Sequence, residues 1–188
     1  QEITGYLTDQ NYLQFDGVDD FLQTNNIDFT ATDKVSLFAG VQRLSDATNY
    51  QAIVDFGVNP TASNGSFSMI ATGVSVGAGF TFESRGTVWA SKKFNYSFAQ
   101  GNAVICGKAD ILNKILHIQI NSAQGQQGLI NQGTGNYSNY PLYIGRRGGT
   151  SLPFNGHLYS LIGIGRLTTD SETIALEKSI AKNVGVTL

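Results

Sequence analysis

The sequence predicts an all-β fold, a sandwich of two antiparallel sheets, with one helix at its C-terminal end. Strand-like segments recur about every eight to fifteen residues, glycine-containing turns separate them, and a helical pattern occurs only near the end of the chain. At 188 residues, a chain of this kind can fold as one unit around one core. We therefore expect a single domain over residues 1–188. Because its sole methionine is Met69, we expect it to be part of a longer protein.

Ten segments have the alternating or β-branched character of strands and end near Gly, Asn, Asp or Ser. They are Tyr12 to Asp16, Asp20 to Thr24, Lys34 to Arg43, Gln51 to Phe56, Ser66 to Thr72, Ala78 to Ser84, Ala103 to Lys108, Lys114 to Asn121, Leu142 to Arg146 and His157 to Gly165. In the eighth segment, the period of two places Leu116, Ile118 and Ile120 on the core face and His117 and Gln119 on the other. So many short strands require two packed sheets.

The turns between these segments contain residues that tolerate a positive φ angle. Asp16-Gly17, Asn64-Gly65 and Asn155-Gly156 are examples, and they predict hairpins and meanders, not parallel crossovers. The glutamine-rich and glycine-rich stretch from Gln124 to Gly135 is expected to be a mobile loop or an edge strand.

One helix is predicted after the last strand. Thr169 and Glu172 fit a capping box, and Gly185 supplies the C-terminal stop. The helix carries an approximate apolar stripe, formed by Ile174, Leu176, Ile180 and Val184. This stripe must pack on the sandwich or on a neighbouring chain.

The composition indicates a polar surface with little charge. Charged residues make up 14% of the chain, and its formal net charge is -2. Lysines and arginines are scattered, apart from Lys92-Lys93 and Arg146-Arg147, so we expect no nucleic-acid partner. No segment is long and apolar enough to predict membrane insertion. The single cysteine, Cys106, lies in an apolar run and is expected to be a buried, unreactive thiol.

Three segments carry a family resemblance. Residues 12–22 read YLQFDGVDDFL, residues 141–146 read PLYIGR, and residues 154–159 read FNGHLY. They resemble the first hairpin and two later strands of laminin G-like domains in the concanavalin A-like lectin and glucanase superfamily, especially the versions found in bacteria and in phage structural proteins. The resemblance implies a jelly-roll form of the sandwich, and it supports the fold more than any particular ligand.

The first hairpin contains three aspartates, Asp16, Asp19 and Asp20. Asp16 can bond the backbone two residues on, so a well-formed turn explains the pattern. In related domains acidic loop residues sometimes hold calcium, and three carboxylates offer suitable oxygen ligands. The spacing is not that of an EF-hand, because Ile27 stands twelfth when Asp16 is counted as first. We expect no cofactor, with calcium at these aspartates as the alternative.

Catalysis is not predicted. Glucanases of this superfamily use paired carboxylates in an E-x-D-x-x-E pattern, which the sequence lacks, and Glu83 stands alone on its strand. The H-E-x-x-H, C-x-x-C, G-x-S-x-G and P-loop motifs are also absent. His117 and His157 are interpreted as sheet-face residues and not as zinc ligands. A glycoside hydrolase with an atypical site, assembled from distant aspartates, is a further alternative.

Three groups of residues have the chemistry to bind a saccharide, which needs an aromatic ring for its C–H groups and polar groups for its hydroxyls. The first is Trp89, close in sequence to Tyr96, although a place in the core is a competing interpretation of this tryptophan. The other candidates are Asp46, Asn49 and Tyr50 after the third strand, and Tyr137, Asn139 and Tyr140 with Arg146 and Arg147. The last group also suits a protein interface.

We therefore predict a non-catalytic carbohydrate-binding or adhesion domain that recognises a glycan or cell-surface saccharide. The resemblance suggests the receptor-recognition part of a phage tail or bacterial surface protein, at an extracellular or virion location. The alternative is a structural domain that contacts other chains of a larger assembly through the helix and residues 124–135. An exposed aromatic cleft would favour a glycan, and a flat apolar patch around the helix would favour assembly.

Overall fold

The computed structural model describes residues 11–46, 49–123 and 125–188. The strands of this part of the chain are β1 (Leu13–Asp16), β2 (Leu22–Asp28), β3 (Lys34–Arg43), β4 (Tyr50–Phe56), β5 (Ser66–Thr72), β6 (Gly79–Arg85), β7 (Trp89–Asn95), β8 (Ala103–Asp110), β9 (Ile115–Ile120), β10 (Gln126–Leu129), β11 (Asn139–Ile144) and β12 (Asn155–Ile164). One α-helix, α1 (Asp170–Val184), follows them. The predicted fold class, two antiparallel sheets and a C-terminal helix, is confirmed.

The strands form two six-stranded sheets that pack face to face. Sheet I has the order β1-β12-β3-β8-β9-β10, and sheet II has the order β2-β11-β4-β5-β6-β7. All of these neighbours pair antiparallel. The main core lies between the sheets, where Phe56 and Phe67 of sheet II stack with ring centroids 4.8 Å apart. Leu116, Ile118 and Ile120 face this core as predicted.

The strand predictions hold best where both faces of a strand are covered. β3 and β5 have the predicted bounds, and almost all of their residues are buried. β7 was not predicted, because it is an edge strand whose partly exposed serine and lysines interrupt the apolar pattern. β10 is also an edge strand, which was one of the two interpretations of residues 124–135.

Two predicted strands were misplaced by turn chemistry. β11 ends at Ile144 and not at Arg146, because Gly145 turns the chain with a φ of 84°. It begins earlier than predicted, and Pro141 is tolerated at an irregularity in the pairing with β2. β2 begins at Leu22 because Asp20 belongs to the preceding turn, where its carboxylate accepts a hydrogen bond from the Asp16 N–H at 3.1 Å.

Helix α1 packs on the outer face of sheet I. The capping box of Thr169 and Glu172 and the left-handed stop at Gly185 are both present, as predicted. The predicted apolar stripe was wrong in part: Ile180 and Val184 are buried, but Ile174 is 49% exposed. Thr173, Glu177 and Ala181 complete the buried side of the helix.

Cys106 of β8 lies beneath the helix and is fully buried. The predicted burial of this cysteine is confirmed, and burial raises the pKa of its thiol. Among the described residues, no helix is both long and apolar enough to cross a membrane.

Candidate functional site

A row of polar side chains crosses the outer face of sheet II. Asp55 of β4, Ser68 of β5 and Glu83 of β6 are direct cross-strand neighbours, and Tyr143 and Ser91 extend the row on either side. The three central residues point away from the core, because the residues before and after them on each strand point into the sandwich. Asp55 and Ser68 are nevertheless fully buried. Other parts of the chain therefore cover this row.

Arg147 covers the row from the loop between β11 and β12. Two backbone hydrogen bonds hold the loop against β4. The Gly145 N–H donates to the Ile53 carbonyl at 2.9 Å, and the Ala52 N–H donates to the Leu152 carbonyl at 2.8 Å. The loop thus places Arg147 on the outer face of sheet II. The sequence alone does not predict this position.

The Arg147 guanidinium joins two carboxylates. Its Nε donates to Asp55 Oδ2 at 3.0 Å, and its Nη2 donates to Glu83 Oε2 at 3.0 Å. The Ser68 hydroxyl donates to the same Glu83 oxygen at 2.6 Å. A guanidinium has five N–H donors, so three are not used by these two carboxylates. Arg147 is therefore a prearranged donor that needs little reorganisation when a ligand binds.

Burial controls the ionisation of this cluster. Burial raises the pKa of Asp55 to about 6, although Arg147 acts in the opposite direction. Asp55 Oδ1 has no hydrogen-bond partner among the described residues, which adds to the penalty for ionising this group. Burial alone would lower the pKa of Arg147, but Asp55 and Glu83 more than offset it and leave that pKa raised. Arg147 therefore keeps its charge while Asp55 titrates near pH 6.

The outer face of sheet II continues over β6 and β7, where Thr81 and Glu83 are buried and Trp89 is exposed, and we call this part the β6–β7 face. Its side chains are Thr81, Glu83, Arg85, Trp89, Ser91 and Lys93. Trp89 is 41% exposed and points outward, since the next residue, Ala90, is buried in the core. The competing interpretation of Trp89 as a core residue was wrong. Tyr96, its neighbour in sequence, is buried.

Two cationic side chains flank the β6–β7 face. Lys93 Nζ donates to the Val76 carbonyl at 2.8 Å, and Arg85 Nε donates to Asn64 Oδ1 at 3.0 Å. Both acceptors are neutral, so these bonds do not pair either positive charge with a carboxylate. Lys93 lies four positions after Trp89 on β7, which gives the face a length of about 13 Å at ~3.3 Å per residue.

The second predicted group lies at the other end of sheet II. Tyr50 is 47% exposed and pairs with Thr72 on the outer face. The backbone carbonyls of Asn49 and Asp46 accept hydrogen bonds from residues 73–74 at 3.0 and 3.4 Å. Tyr50 therefore shares a sheet face with Trp89, but it lies on β4 and not beside it.

The third predicted group is divided by the fold. Tyr137 is 2% exposed and Tyr140 packs against the core, so neither presents an open ring to a ligand. Asn139 is exposed at the start of β11, and Arg146 Nη1 turns away to the carbonyl of residue 19. Arg147 is the member of the group that reaches the outer face of sheet II. A shared site of two tyrosines and two arginines is not present.

The carboxylate pair also bears on catalysis. Glu83 stands alone in sequence, but the fold places Asp55 near it, with Arg147 between them. A glycosidase needs two carboxyl groups that both reach the glycosidic bond. Asp55 is fully buried, and Arg147 holds its Oδ2. The pair is thus arranged to orient Arg147 and not to attack a sugar.

The three aspartates of the first hairpin do come together. Oxygen atoms of Asp16, Asp19 and Asp20 lie within 4.8 Å of one another. Two of the carboxylates already bond the turn itself, since Asp16 Oδ1 accepts from the Val18 N–H at 2.7 Å and Asp20 Oδ2 accepts from the Asp16 N–H. The observed bonds are those of a tight turn, and calcium at these residues stays a prediction.

Comparisons with known proteins place the fold. No protein-family model and no curated protein matches the chain. Among solved structures, the CBM40 domain of the Ruminococcus gnavus IT-sialidase, bound to α2,3-sialyllactose, is 18% identical with a TM-score of 0.60, over 83% of this chain and 98% of that one.

Two further structures are similar. The SAP-like pentraxin from Limulus polyphemus is 10% identical with a TM-score of 0.63, over 91% of this chain and 80% of that one. The NanB sialidase from Streptococcus pneumoniae is 11% identical with a TM-score of 0.59, over 86% of this chain and 26% of that one. At these identities the likeness shows the fold alone, and it agrees with the expected concanavalin A-like jelly roll.

Proposed function

We propose that this chain is a non-catalytic carbohydrate-binding domain whose glycan lies on the β6–β7 face. The observation that carries the proposal is an exposed tryptophan on the same sheet face as a prearranged arginine–glutamate pair. Trp89 offers its ring to the C–H face of a sugar. Arg147 offers three N–H donors, and Glu83 offers Oε1, because its other oxygen is occupied by Ser68 and Arg147.

The size and chemistry of the face fit an oligosaccharide. About 13 Å separates Trp89 from Lys93 along β7. Ser91 lies between them, and Glu83 is its direct neighbour on β6, so small and polar groups occupy the middle of the face. A saccharide that stacks on Trp89 would then extend over groups able to bond its hydroxyls.

The structural comparisons support the same class of ligand. A jelly-roll domain of similar fold, the CBM40 domain of a Ruminococcus gnavus sialidase, has been solved with sialyllactose. This chain covers nearly all of that domain's length, so the likeness concerns a whole binding domain. A laminin G-like relationship, a receptor-recognition role in a phage tail or bacterial surface protein, and an extracellular or virion location belong to this proposal as well.

An assembly role has less support. It depended on an apolar helix face that could pack on a neighbouring chain and on residues 124–135, of which β10 does form an edge strand. Ile180 and Val184 instead pack on this chain's own sheet, against Phe38, Val104 and Cys106. Most of the apolar stripe is thus used within the domain.

A glycan array tests the proposal. The purified wild-type chain should bind at least one glycan, and Trp89→Ala should weaken that binding by up to about tenfold, because ring stacking contributes roughly 0.5–1.5 kcal/mol. Leu129→Ala is the matched control, since it truncates an apolar side chain that is 81% exposed on sheet I. Absence of glycan binding, or equal loss in both variants, would refute the proposal.

A parallel arm with EDTA addresses the aspartates of the first hairpin. If binding is lost in EDTA and restored by calcium, the ligand site depends on a metal, and Asp16→Asn should reproduce the loss. Binding that EDTA leaves unchanged would show that the β6–β7 face works without calcium.

A further inference from the structure

The part of the chain around Trp89 is rich in basic residues, although the whole chain has a formal net charge of -2. Between residues 56 and 109 the sequence contains one carboxylate, Glu83, and four basic residues, Arg85, Lys92, Lys93 and Lys108. This stretch includes β5, β6 and β7 and the turns that join them. The end of sheet II that carries Trp89 therefore has a charge opposite to that of the chain as a whole.

Arg85 is the cation beside Trp89, because the two residues are direct partners in the pairing of β6 with β7. Side chains opposed in this way have Cβ atoms about 5 Å apart. Arg85 Nε donates to Asn64 Oδ1 at 3.0 Å, and Nη1 donates to the Thr61 carbonyl. The guanidinium is thereby held by two neutral acceptors in the loop before β5.

The guanidinium of Arg85 keeps N–H donors that a ligand can reach. It has five donors, and its two bonds to the loop use two of them. The side chain is partly exposed. Its Nη2 has no partner among the described residues, and it is not one of their buried unpartnered atoms. This nitrogen is therefore open to solvent and to a ligand.

No carboxylate of the described residues forms an ion pair with Arg85 or Lys93. The carboxylates of this face, Asp55 and Glu83, are both paired with Arg147. Three cations thus stand against two carboxylates, and both carboxylates are buried. The face keeps an excess positive charge at pH 7, and its accessible charges are positive.

We propose that the glycan of the β6–β7 face carries an acidic group, a carboxylate or a sulfate, which Arg85 binds while a sugar ring stacks on Trp89. This inference rests on the function proposed above and names the class of glycan. Hydrogen bonds between a guanidinium and a charged oxygen are about twice as strong as those between neutral groups. Because Asn64 and Thr61 already hold Arg85, binding costs little of its side-chain freedom.

The test compares acidic glycans with neutral counterparts by isothermal titration calorimetry on the whole chain. The pairs are tetragalacturonate with its methyl ester, a κ-carrageenan tetrasaccharide with its desulfated form, and 3′-sialyllactose with lactose, so carboxylate and sulfate are tested separately. At least one acidic member should bind about tenfold more tightly than its neutral partner. This preference should shrink when salt is raised from about 0.05 M to about 0.5 M, because salt screens exposed charges.

Variants assign the preference to Arg85. Arg85→Gln removes the charge and can still donate to the loop, so the acidic member should bind no more tightly than its neutral partner. Arg85→Lys keeps the charge and should keep part of the preference, which separates the charge from the bonds to the loop. Trp89→Ala should weaken both members of a pair by a similar factor. Lys182→Gln, at an exposed site near the far end of α1, is the matched control and should change nothing.

The outcomes separate this inference from the function proposed for the β6–β7 face. If the chain binds glycans but prefers no acidic member, or if the preference survives in Arg85→Gln, the inference is overturned and carbohydrate binding stands. Binding of polyglutamate, an acidic polymer without sugar, as tightly as the acidic glycan would also overturn it. Absence of binding to every glycan, neutral or acidic, would overturn the proposed function and this inference with it.

Discussion

Removal of the Arg147 guanidinium should expose how much the buried cluster depends on it. Arg147→Met keeps the length and apolar part of the side chain but leaves Asp55 and Glu83 without their shared cation. Asp55 is fully buried, and Oδ2 would join Oδ1 as an unpaired oxygen. Breaking a buried pair in this way typically costs about 3–5 kcal/mol, so we expect a loss of that size in the free energy of unfolding at pH 7.

The same reasoning makes the loss depend on pH. Without Arg147, the pKa of Asp55 should rise above its wild-type value of about 6, because the opposing effect of the cation is gone. At pH 5 Asp55 is then protonated, and less uncompensated charge stays buried. Urea unfolding at pH 7 and pH 5 should therefore show a smaller difference between variant and wild type at the lower pH.

The wild-type chain should show its own dependence with a defined sign. An unfolded aspartate has a pKa of about 3.9, so the folded chain holds the Asp55 proton more tightly between about pH 4 and pH 6. The stability from this group is full below about pH 4 and is lost as pH rises to about 6. A difference of about two pH units corresponds to roughly 3 kcal/mol.

Arg166→Met is the control for these experiments. Arg166 pairs with Glu172 at 2.7 Å, but both side chains are exposed, so solvent screens the pair and the unfolding midpoint should hardly move. If Arg147→Met were as stable as wild type at pH 7, the argument that this cluster is a buried and dependent network would be refuted.

Two further substitutions test the packing of α1. Gly40→Ala would place a Cβ 2.6 Å from Ile180 Cγ2, so calorimetry should show that the free energy of unfolding falls by about 1–3 kcal/mol. Gly163→Ala is the control, because its Cβ has room and stability should change little. A Gly40→Ala variant as stable as wild type would contradict the close contact between α1 and β3. Thr169→Ala removes the side-chain cap of α1, so the free energy of unfolding measured in urea should fall by about 1 kcal/mol. If it does not change, the capping box adds nothing to the stability of the fold.

Local patterns in the sequence were sufficient for the fold class and for the helix. The alternation of apolar and polar residues on β9 correctly placed Leu116 and Ile118 in the core, because a strand with one buried face has apolar residues at every second position. The capping box at Thr169 and the stop at Gly185 were also predicted correctly, since the free backbone groups at a helix end are bonded by residues within one turn of it. Edge strand β7 escaped prediction, because partial exposure allows a mixture of polar and apolar residues.

The candidate sites depended on contacts that no local pattern records. Trp89 was selected from the sequence as a sugar platform, but its outward direction follows from the register of β7 against β6. Arg147 was also selected, yet its expected tyrosine neighbours turned into the core, and its actual partners, Asp55 and Glu83, lie on strands far from it in sequence.

The sequence by itself determined a jelly-roll sandwich with a polar surface, a capped helix and a short list of residues able to bind a sugar. Only the tertiary structure decided which of these residues share a face and which of them are buried. The physical reason is that strand periodicity is a property of neighbours along the chain, whereas cross-strand rows such as Asp55–Ser68–Glu83 arise from the order and register in which separate strands pair.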